Sequence, residues 1–220
     1  MVRVFAAAIG DGSDQLLYAE LVPLLSPRKR ERVESLVHSE DVVRTLMGER
    51  LIRGIIKREI GIEGAAVRME MNAYGKPFLA GYPAFHFNLS HSGKWVVCAV
   101  AGNPVGIDVE RMGEADHQTA AYFFSAEERE DLSAKPVADR QSHFHHIWAL
   151  KESFLKCTGK GFYIDPVSFT IKIEDDGIRL RTQASAIDAR YCFKIFDLDC
   201  GYALAVCSEG EAFAADVTLV

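Results

Sequence analysis

The chain lacks the features that mark secreted, membrane-spanning and nucleic-acid-binding proteins. Its five cysteines are an odd number without a C-x-x-C pair, so we expect reduced thiols in a cytoplasmic protein. No stretch approaches the roughly 20 apolar residues that span a bilayer, and the apolar N-terminus gives way to acidic residues after about eight positions, too few for a secretory leader. It also lacks an excess of basic residues, since 25 Lys and Arg face 31 Asp and Glu, and a net charge of −6 argues against non-specific nucleic-acid binding.

What remains is the composition of a globular protein, with 49% hydrophobic and 25% charged residues in 220, enough for one large domain or two modest lobes. Hydrophobic periodicity predicts long helices over about 41–60 and 139–157, each followed by a capping glycine. Shorter helices are expected after Ser26-Pro27 and at the capping box that begins with Ser125. Patterns typical of strands cover 2–9, 67–71, 85–90, 95–101, 105–109, 167–173, 191–197 and 202–207.

Two segments of the chain echo each other, at 85–100 and 192–207, and each is a predicted strand pair preceded at a distance by one long helix. One interpretation is coincidence, because any two hairpins look alike. The other is a pair of similar α+β halves, with a site in the crevice between them.

Two carboxylates in Gly106–Glu110 form the first candidate site. Residues two apart in a strand share a face and lie about 6–7 Å apart, so Asp108 and Glu110 project together while the aliphatic residues beside them point into a core. Converging carboxylates repel unless a cation lies between them, and hard oxygen ligands favour Mg²⁺ over zinc. The alternative, a solvated strand edge next to Arg111, stays open from these five residues alone.

The predicted helix at 139–157 carries a second charged group. Glu152 and Lys156 are four residues apart and share a helix face, as do Trp148 and Glu152. A surface Glu–Lys pair would contribute only about 0.3–0.5 kcal/mol. Apolar residues on both sides of Lys151-Glu152 favour instead a charged pair at the mouth of a cleft, and the segment alone does not decide between the two.

Serine and histidine side chains suggest further sites. Ser90 and His91 lie where a predicted strand ends, and a hydroxyl, an imidazolium and backbone amides there could bind a phosphate. Adjacent strand residues point to opposite faces and no G-x-S-x-G motif is present, so we exclude a serine hydrolase. His143, His145 and His146 lack a carboxylate at ligand spacing, which favours a partly exposed helix face over a metal cluster.

A basic tract follows Ser26-Pro27 and includes Lys29 and Arg32, with Arg44 further on. Such a tract is usually a solvated helix face. It could also clamp a multiply charged ligand, because cations give a phosphate site affinity. The acidic character of the whole protein argues against a role with nucleic acids.

The order of these motifs along the chain is more specific than any one of them. Together they resemble the surfactin-type (Sfp-type) 4′-phosphopantetheinyl transferase family over nearly the whole chain. The motifs that carry the resemblance are Gly75-Lys76-Pro77, Phe87-Asn88-Leu89-Ser90-His91-Ser92, Gly106-Ile107-Asp108-Val109-Glu110 and Trp148-Ala149-Leu150-Lys151-Glu152-Ser153-Phe154-Leu155-Lys156.

The resemblance implies an α+β fold of two similar lobes in a pseudo-two-fold arrangement, a monomer with its active site in the cleft between them. We place the N-terminal lobe at 1–104 and the C-terminal lobe at 105–220. By motif position, the residues similar to Mg²⁺ ligands are Asp108, Glu110 and Glu152, with Mn²⁺ as an alternative metal. Contacts to coenzyme A are implied for Lys29, Arg32, Arg44, Lys76, Ser90, His91, Lys151 and Lys156.

The implied reaction transfers the 4′-phosphopantetheine group of coenzyme A to a serine of an apo carrier protein and releases 3′,5′-adenosine diphosphate. The carrier would belong to a peptide-synthetase, polyketide or fatty-acid system. Glu152, Lys156, His91 and Asp108 are the implied catalytic residues, with Glu152 as metal ligand, base or both. The residues also fit a metal-dependent hydrolase of coenzyme A, and a module that binds coenzyme A or carrier proteins without turnover is a third reading.

Overall fold

A computed structural model of the chain describes residues 1–10, 14–114, 117–182 and 190–220. The helices in these ranges are α1 (Asp14–Leu21), α2 (Pro27–Glu34), α3 (Ser39–Ile60), α4 (His117–Phe123), α5 (Ala126–Ala134) and α6 (Val137–Thr158). The strands are β1 (Val2–Ala8), β2 (Met69–Met71), β3 (Pro77–Leu79), β4 (His86–Ser92), β5 (Trp95–Ala101), β6 (Val105–Arg111), β7 (Phe169–Glu174), β8 (Gly177–Thr182), β9 (Tyr191–Phe196), β10 (Tyr202–Glu209) and β11 (Phe213–Leu219).

The order of elements in the first half repeats in the second. Each half has a first strand, a 22-residue helix, a two-stranded hairpin and two further strands (β1, α3, β2–β3, β4, β5 and β6, α6, β7–β8, β9, β10). The sheet orders also correspond, β1-β5-β4 in one and β6-β10-β9 in the other, with all these neighbours antiparallel. This repetition confirms the predicted α+β fold with two similar halves.

The two sheets pack face to face, with a long helix on the outside of each. Alternate residues of β1, β5, β6 and β10 form a core between the sheets, while the opposite face of β5 packs against α3 and that of β10 against α6. The same alternation holds in β6, where Ile107 and Val109 are buried in the core between the sheets. Asp108 and Glu110 therefore face α6, as the period of two predicts.

The predicted helix starts and stops are confirmed. Ser26 caps α2 by accepting a hydrogen bond from the Lys29 amide, and Ser125 and Glu128 form the capping box of α5. The two long helices end at glycines with positive φ, Gly61 at 79° and Gly159 at 70°. Among the described residues no helix combines the length and the apolarity needed to cross a membrane.

Several elements were not predicted from the sequence, and the last strand is the most consequential. β11 pairs in parallel with β1, with Val2 opposite Phe213, so the end of the chain joins the sheet of the first half. The other unpredicted elements are α1, α4, β3 and β8. The division into lobes at 104 and 105 stays a prediction, and β11 lies on the opposite side of it from its own sheet.

Side chains join the two halves along β4 and β6. Asn88 accepts a hydrogen bond from the Ile107 amide at 2.9 Å, and Ser90 and Ser92 reach residues further along β6. On its other side β6 lies against α6 at Gly106, where a Cβ atom would collide with the Ser153 carbonyl oxygen and the Cys157 amide. The glycine lets the helix backbone approach the strand. It thereby brings the charged residues of α6 to the line along which β4, β6 and α6 meet, which we call the seam.

Candidate active site

Asp108 is the most enclosed charged residue of the seam, with 2% of its surface exposed. Its Oδ1 accepts hydrogen bonds from Ser90 Oγ at 2.9 Å and from Lys156 Nζ at 2.5 Å. Its Oδ2 is buried without a hydrogen-bond partner among the described residues. Burial raises the pKa of Asp108, against the opposing effect of Lys156. A buried carboxylate oxygen without a donor is costly unless a ligand or ion completes its environment.

Glu110 lies one step further along the same face of β6. Ser92 Oγ donates to its Oε2 at 3.2 Å, and the Trp148 indole donates to Oε1 at 3.3 Å. Burial and the neighbouring charge of Asp108 raise the pKa of Glu110 to about 7. The indole contact was not predicted, although the four-residue spacing of Trp148 and Glu152 on a helix indicated a shared face.

Glu152 and Lys156 approach these carboxylates from α6. Their side chains are 3.7 Å apart, and Lys156 also makes the closer pair with Asp108. Burial raises the pKa of Glu152; Lys156 opposes the shift and Asp108 adds to it. Burial would lower the pKa of Lys156, but the surrounding carboxylates outweigh it and raise that pKa. The carboxylates of Asp108, Glu110 and Glu152, which we call the carboxylate group, thus lie around the single ammonium group of Lys156. When all three are ionised, an excess of negative charge remains.

The oxygen atoms of these carboxylates have the chemistry of ligands for a divalent cation. Hard carboxylate oxygens suit Mg²⁺, and the unpartnered Asp108 Oδ2 offers a ligand atom. Their spacing is not that of an assembled centre. Within the ranges that the structure describes, no three acidic, histidine or cysteine side chains are gathered closely enough to hold a metal ion. Lys156 Nζ occupies the position beside Asp108 Oδ1 instead.

His91 and Arg44 lie near the seam on the side of the first half. His91 is exposed at the end of β4, where partial desolvation and the charges of Arg44 and Lys156 lower its pKa. Arg44 donates from Nε to the Gly93 carbonyl oxygen at 2.9 Å and pairs with Asp41 and Glu40. Arg44 therefore places a cationic side chain on this side of the seam, as expected for a site that binds phosphates.

Lys29 is held by a buried partner that the sequence did not reveal. Its Nζ lies 2.6 Å from Oε2 of Glu49, which is 2% exposed and also pairs with Arg53. Burial alone would raise the pKa of Glu49, but the two cations outweigh it and hold the pKa below its usual value. Arg32 is exposed on the same helix as Lys29. No contact in the described structure joins either cation to the carboxylates of β6.

Lys76 serves as a link between the two halves. Its Nζ donates to the carbonyl oxygens of Val105 at 2.8 Å and Cys157 at 3.3 Å, and burial lowers its pKa. Asn72, in the same turn, donates to the Gly159 carbonyl oxygen at 2.8 Å. The turn therefore caps the C-terminal end of α6, a structural role that the sequence did not predict, and the nucleotide contact of Lys76 stays a prediction.

The structure contradicts the assignment of Lys151 to coenzyme A binding. The side chain is fully buried, and its ammonium donates to both Glu128 carboxylate oxygens and to the Phe169 carbonyl oxygen, each at 2.8 Å. Burial lowers the pKa of Lys151 against the effect of Glu128. Lys151 and Glu152 are consecutive on α6, and only Glu152 faces the seam. The expectation that both lie at a cleft mouth is therefore wrong for Lys151.

The three histidines of α6 occupy different environments. His145 is buried and accepts a hydrogen bond from the Gly113 amide at 3.2 Å, while His143 and His146 are half-buried. His143 lies 2.7 Å from an Asp131 carboxylate oxygen. The predicted partly exposed face thus holds for two of the three, and the contact of His145 was missed because its partner is a main-chain group.

A cavity of about 780 Å³ is lined by residues of α3, the end of β6 and the turns before β5 and β10. Its charged lining includes Arg44 from α3, Arg111 from β6 and Lys94 from the turn between β4 and β5. Met112 and Tyr202 also line the cavity. The lining contains these cationic side chains but none of Asp108, Glu110 and Glu152.

Comparisons with known proteins identify the family to which this chain is similar. The model of the 4′-phosphopantetheinyl transferase superfamily matches residues 104–207, and that of the 4′-phosphopantetheinyl transferase N-terminal region matches 13–103. The chain is 37% identical over 196 residues to the 4′-phosphopantetheinyl transferase Sfp of Bacillus subtilis, covering 89% of this chain and 87% of that protein. It is 39% identical over 201 residues to the 4′-phosphopantetheinyl transferase psf-1 of Bacillus pumilus, covering 91% and 86%. A phosphopantetheinyl transferase of Thraustochytrium is 32% identical over 90% of this chain and 75% of its own length.

Proposed function

The chain belongs to the 4′-phosphopantetheinyl transferase superfamily, whose members move the phosphopantetheine group of coenzyme A to carrier proteins, and we propose that here Asp108, Glu110 and Glu152 hold the Mg²⁺ of that transfer. The observation that supports this most directly is the unpartnered, buried Oδ2 of Asp108. It lies beside two more carboxylates whose pKa values are raised. A divalent cation balances that charge, and Mn²⁺ would be accepted by the same oxygen ligands.

The bound metal supplies charge neutralisation at the pyrophosphate of coenzyme A. The serine hydroxyl of the carrier attacks the β-phosphorus, the bond from that phosphorus to the bridging oxygen breaks, and 3′,5′-adenosine diphosphate leaves. Such a reaction depends on alignment and electrostatics more than on covalent help from the protein. The side chains of the seam are suited to both tasks.

Lys156 is the central cation of this proposal. In the described structure it bridges Asp108 and Glu152, and from this position its ammonium group would balance charge on the transferred phosphoryl group. His91 and Ser90 border the same space and would donate to the phosphate oxygens. Glu152 would take the serine proton directly or through water, and its raised pKa makes it a stronger base than an ordinary carboxylate.

The nucleotide end of coenzyme A would contact the cations of the first half. Lys29, Arg32 and Arg44 come from α2 and α3, and Lys76 lies in the turn beside the C-terminal end of α6. For Lys29 and Arg44, a phosphate would compete with carboxylates that hold them in the described structure. Lys151 is excluded from this set because its ammonium is enclosed by Glu128 and Phe169.

The acceptors we propose are apo carrier proteins of peptide-synthetase, polyketide or fatty-acid systems. We further propose that the enzyme acts as a monomer in the cytoplasm. The odd number of cysteines and the lack of a C-x-x-C pair support that compartment.

Intact mass spectrometry of an apo peptidyl carrier protein tests the proposed reaction. The carrier is incubated with the enzyme, coenzyme A and Mg²⁺, with and without EDTA. We expect a gain of one phosphopantetheine mass that EDTA abolishes and Mg²⁺ restores. Release of free 4′-phosphopantetheine without acceptor would indicate a hydrolase. Coenzyme A binding without any turnover on peptidyl or acyl carriers would indicate a non-catalytic binding module.

A further inference from the structure

The chain has two tryptophans, and the indole of each donates a hydrogen bond to a carboxylate. Trp148 Nε1 donates to Glu110 Oε1 at 3.3 Å. Trp95 Nε1 donates to Asp199 Oδ2 at 3.1 Å, in the turn before β10. Glu110 is a candidate metal ligand and Asp199 is not, so the two indoles form a natural pair of test and control.

Trp148 lies on the same face of α6 as Glu152 and Lys156, because residues four apart share a helix face. The two ends of this row contact the two carboxylates of β6. Lys156 Nζ pairs with Asp108, and the Trp148 indole donates to Glu110. The ammonium group of Lys156 balances the charge of its partner, whereas an indole N–H carries no net charge. Trp148 can therefore orient Glu110 without reducing the negative charge that attracts a cation.

Aromatic packing holds the indole in place. It stacks on Phe123 of α4, with 4.2 Å between the ring centroids and 23° between the ring planes. Phe144, one turn earlier on α6, lies at 6.2 Å in a similar orientation, and both phenylalanines are buried. A side chain that packing has already fixed loses little further rotational freedom when its N–H makes a hydrogen bond. The direction of the donor is thus set by the packing.

The other oxygen of Glu110 is held from the first half of the chain. Ser92 Oγ donates to Glu110 Oε2 at 3.2 Å and accepts from the Arg111 amide at 3.0 Å, which fixes the hydroxyl group. Glu110 therefore has one neutral donor on each oxygen, Ser92 from β4 and Trp148 from α6. An ionised carboxylate offers about four acceptor positions, so both oxygens keep a lone pair for a cation.

We propose that Trp148 is a positioning residue for the metal site: its indole N–H fixes the direction of the Glu110 carboxylate and thereby raises the affinity for Mg²⁺. The proposal rests on the metal assignment proposed above. Loss of a hydrogen-bond partner behind a metal ligand typically costs about 10- to 100-fold in metal affinity or activity. If Trp148 served packing alone, another aromatic ring that stacks on Phe123 would replace it without loss of metal affinity.

Mn²⁺ binding, followed by the loss of the electron paramagnetic resonance signal of free Mn²⁺, tests this. The enzyme is saturated with coenzyme A and no carrier is present, so no turnover occurs. We expect Trp148→Phe, which keeps an aromatic ring and loses the donor, to raise the Mn²⁺ Kd about tenfold. The kcat for transfer to an apo peptidyl carrier at saturating Mg²⁺ should stay within about twofold of wild type, because all three carboxylates remain. Trp95→Phe is the matched control, since it removes the donor to Asp199, and its Mn²⁺ Kd should not change.

An isosteric exchange keeps the test decisive if Trp148→Phe unfolds. Incorporation of benzothienylalanine in place of tryptophan, in the Trp95→Phe variant, replaces the N–H of Trp148 with sulfur and keeps the shape of the stacked ring. The Mn²⁺ Kd should again rise about tenfold, relative to Trp95→Phe. An unchanged Mn²⁺ Kd in a folded variant that lacks the Trp148 donor, or an equal rise in Trp95→Phe, would overturn the proposal. Absence of Mn²⁺ binding by the wild-type enzyme would instead reject the metal assignment itself.

Discussion

Lys156 Nζ lies 2.5 Å from Asp108 Oδ1, while Oδ2 of the same carboxylate is buried without a partner among the described residues. One oxygen of Asp108 is therefore engaged by the protein and the other is available to a ligand. The arrangement keeps a negative charge enclosed at the seam between the two halves, where its pKa is raised by burial.

Asp108→Ala is expected to abolish transfer while the protein remains folded. The variant removes both the engaged and the available oxygen, and loss of electrostatic stabilisation at a reacting centre typically costs about a hundredfold or more in rate. Transfer rates at saturating Mg²⁺, with thermal unfolding as the folding check, measure the effect. Ser92→Ala is the comparison, since it removes a donor to Glu110 but no carboxylate. Wild-type rates in Asp108→Ala would remove the metal assignment.

Lys151→Met is expected to destabilise the protein rather than weaken coenzyme A binding. It leaves Glu128 buried without its cation, which costs about 3–5 kcal/mol of unfolding free energy for an uncompensated buried charge. Adding Glu128→Gln removes that charge and should recover part of the loss. Urea unfolding of the single and double variants measures both effects. A stable Lys151→Met protein with weakened coenzyme A binding would instead support the assignment of Lys151 to coenzyme A binding.

Gly106→Ala is expected to disrupt the approach of α6 to β6. The added methyl group meets main-chain atoms of Ser153 and Cys157, which cannot move alone, so we expect a loss of about 2–3 kcal/mol and of most transfer activity. Gly48→Ala is the matched control within α3, because its Cβ would lie 3.7 Å from a Val96 methyl group, an ordinary contact. It should be neutral or stabilising by up to about 1 kcal/mol. Equal stability of the two variants, measured by urea unfolding, would contradict this account.

Glu49 is expected to contribute to the acid sensitivity of the fold. Its pKa is lower in the folded protein than its usual 4.5, so its contribution to stability is complete above about pH 4.5 and is lost as the pH falls through the lowered folded value. Urea unfolding of Glu49→Gln and wild type from pH 7 down to pH 3 should show a difference that narrows with acidification. Glu34→Gln, at an exposed position on α2, is the control. A constant difference across that range would show that the ion pairs of Glu49 do not stabilise the fold.

Features that depend on local geometry could be predicted from the sequence. The common face of Asp108 and Glu110 follows from the period of a strand, and the shared face of Glu152 and Lys156 follows from the period of a helix. Both placements are confirmed by contacts at the seam. Helix ends could also be predicted from the sequence, because a cap depends on only a few consecutive residues.

Features that depend on distant partners could not be predicted. The spacing of residues on the helix does not show which of Lys151 and Glu152 faces the core. The answer depends on Glu128, which contacts Lys151 only in the folded chain. The sequence likewise gives no sign that Glu49 pairs with Lys29, because the two residues lie on different helices. His145 contacts a main-chain amide, and main-chain groups leave no signature in a sequence.

The pairing of β1 with β11 has a consequence for the folding of the chain during its synthesis. Val2 lies opposite Phe213, so β1 gains its outer neighbour only after about 200 further residues have been made. A parallel neighbour so far along the chain also demands a large loss of chain entropy before the contact forms. The sheet of the first half therefore has an unpaired edge throughout translation. We expect this edge to be the place at which incomplete chains associate with one another or recruit chaperones.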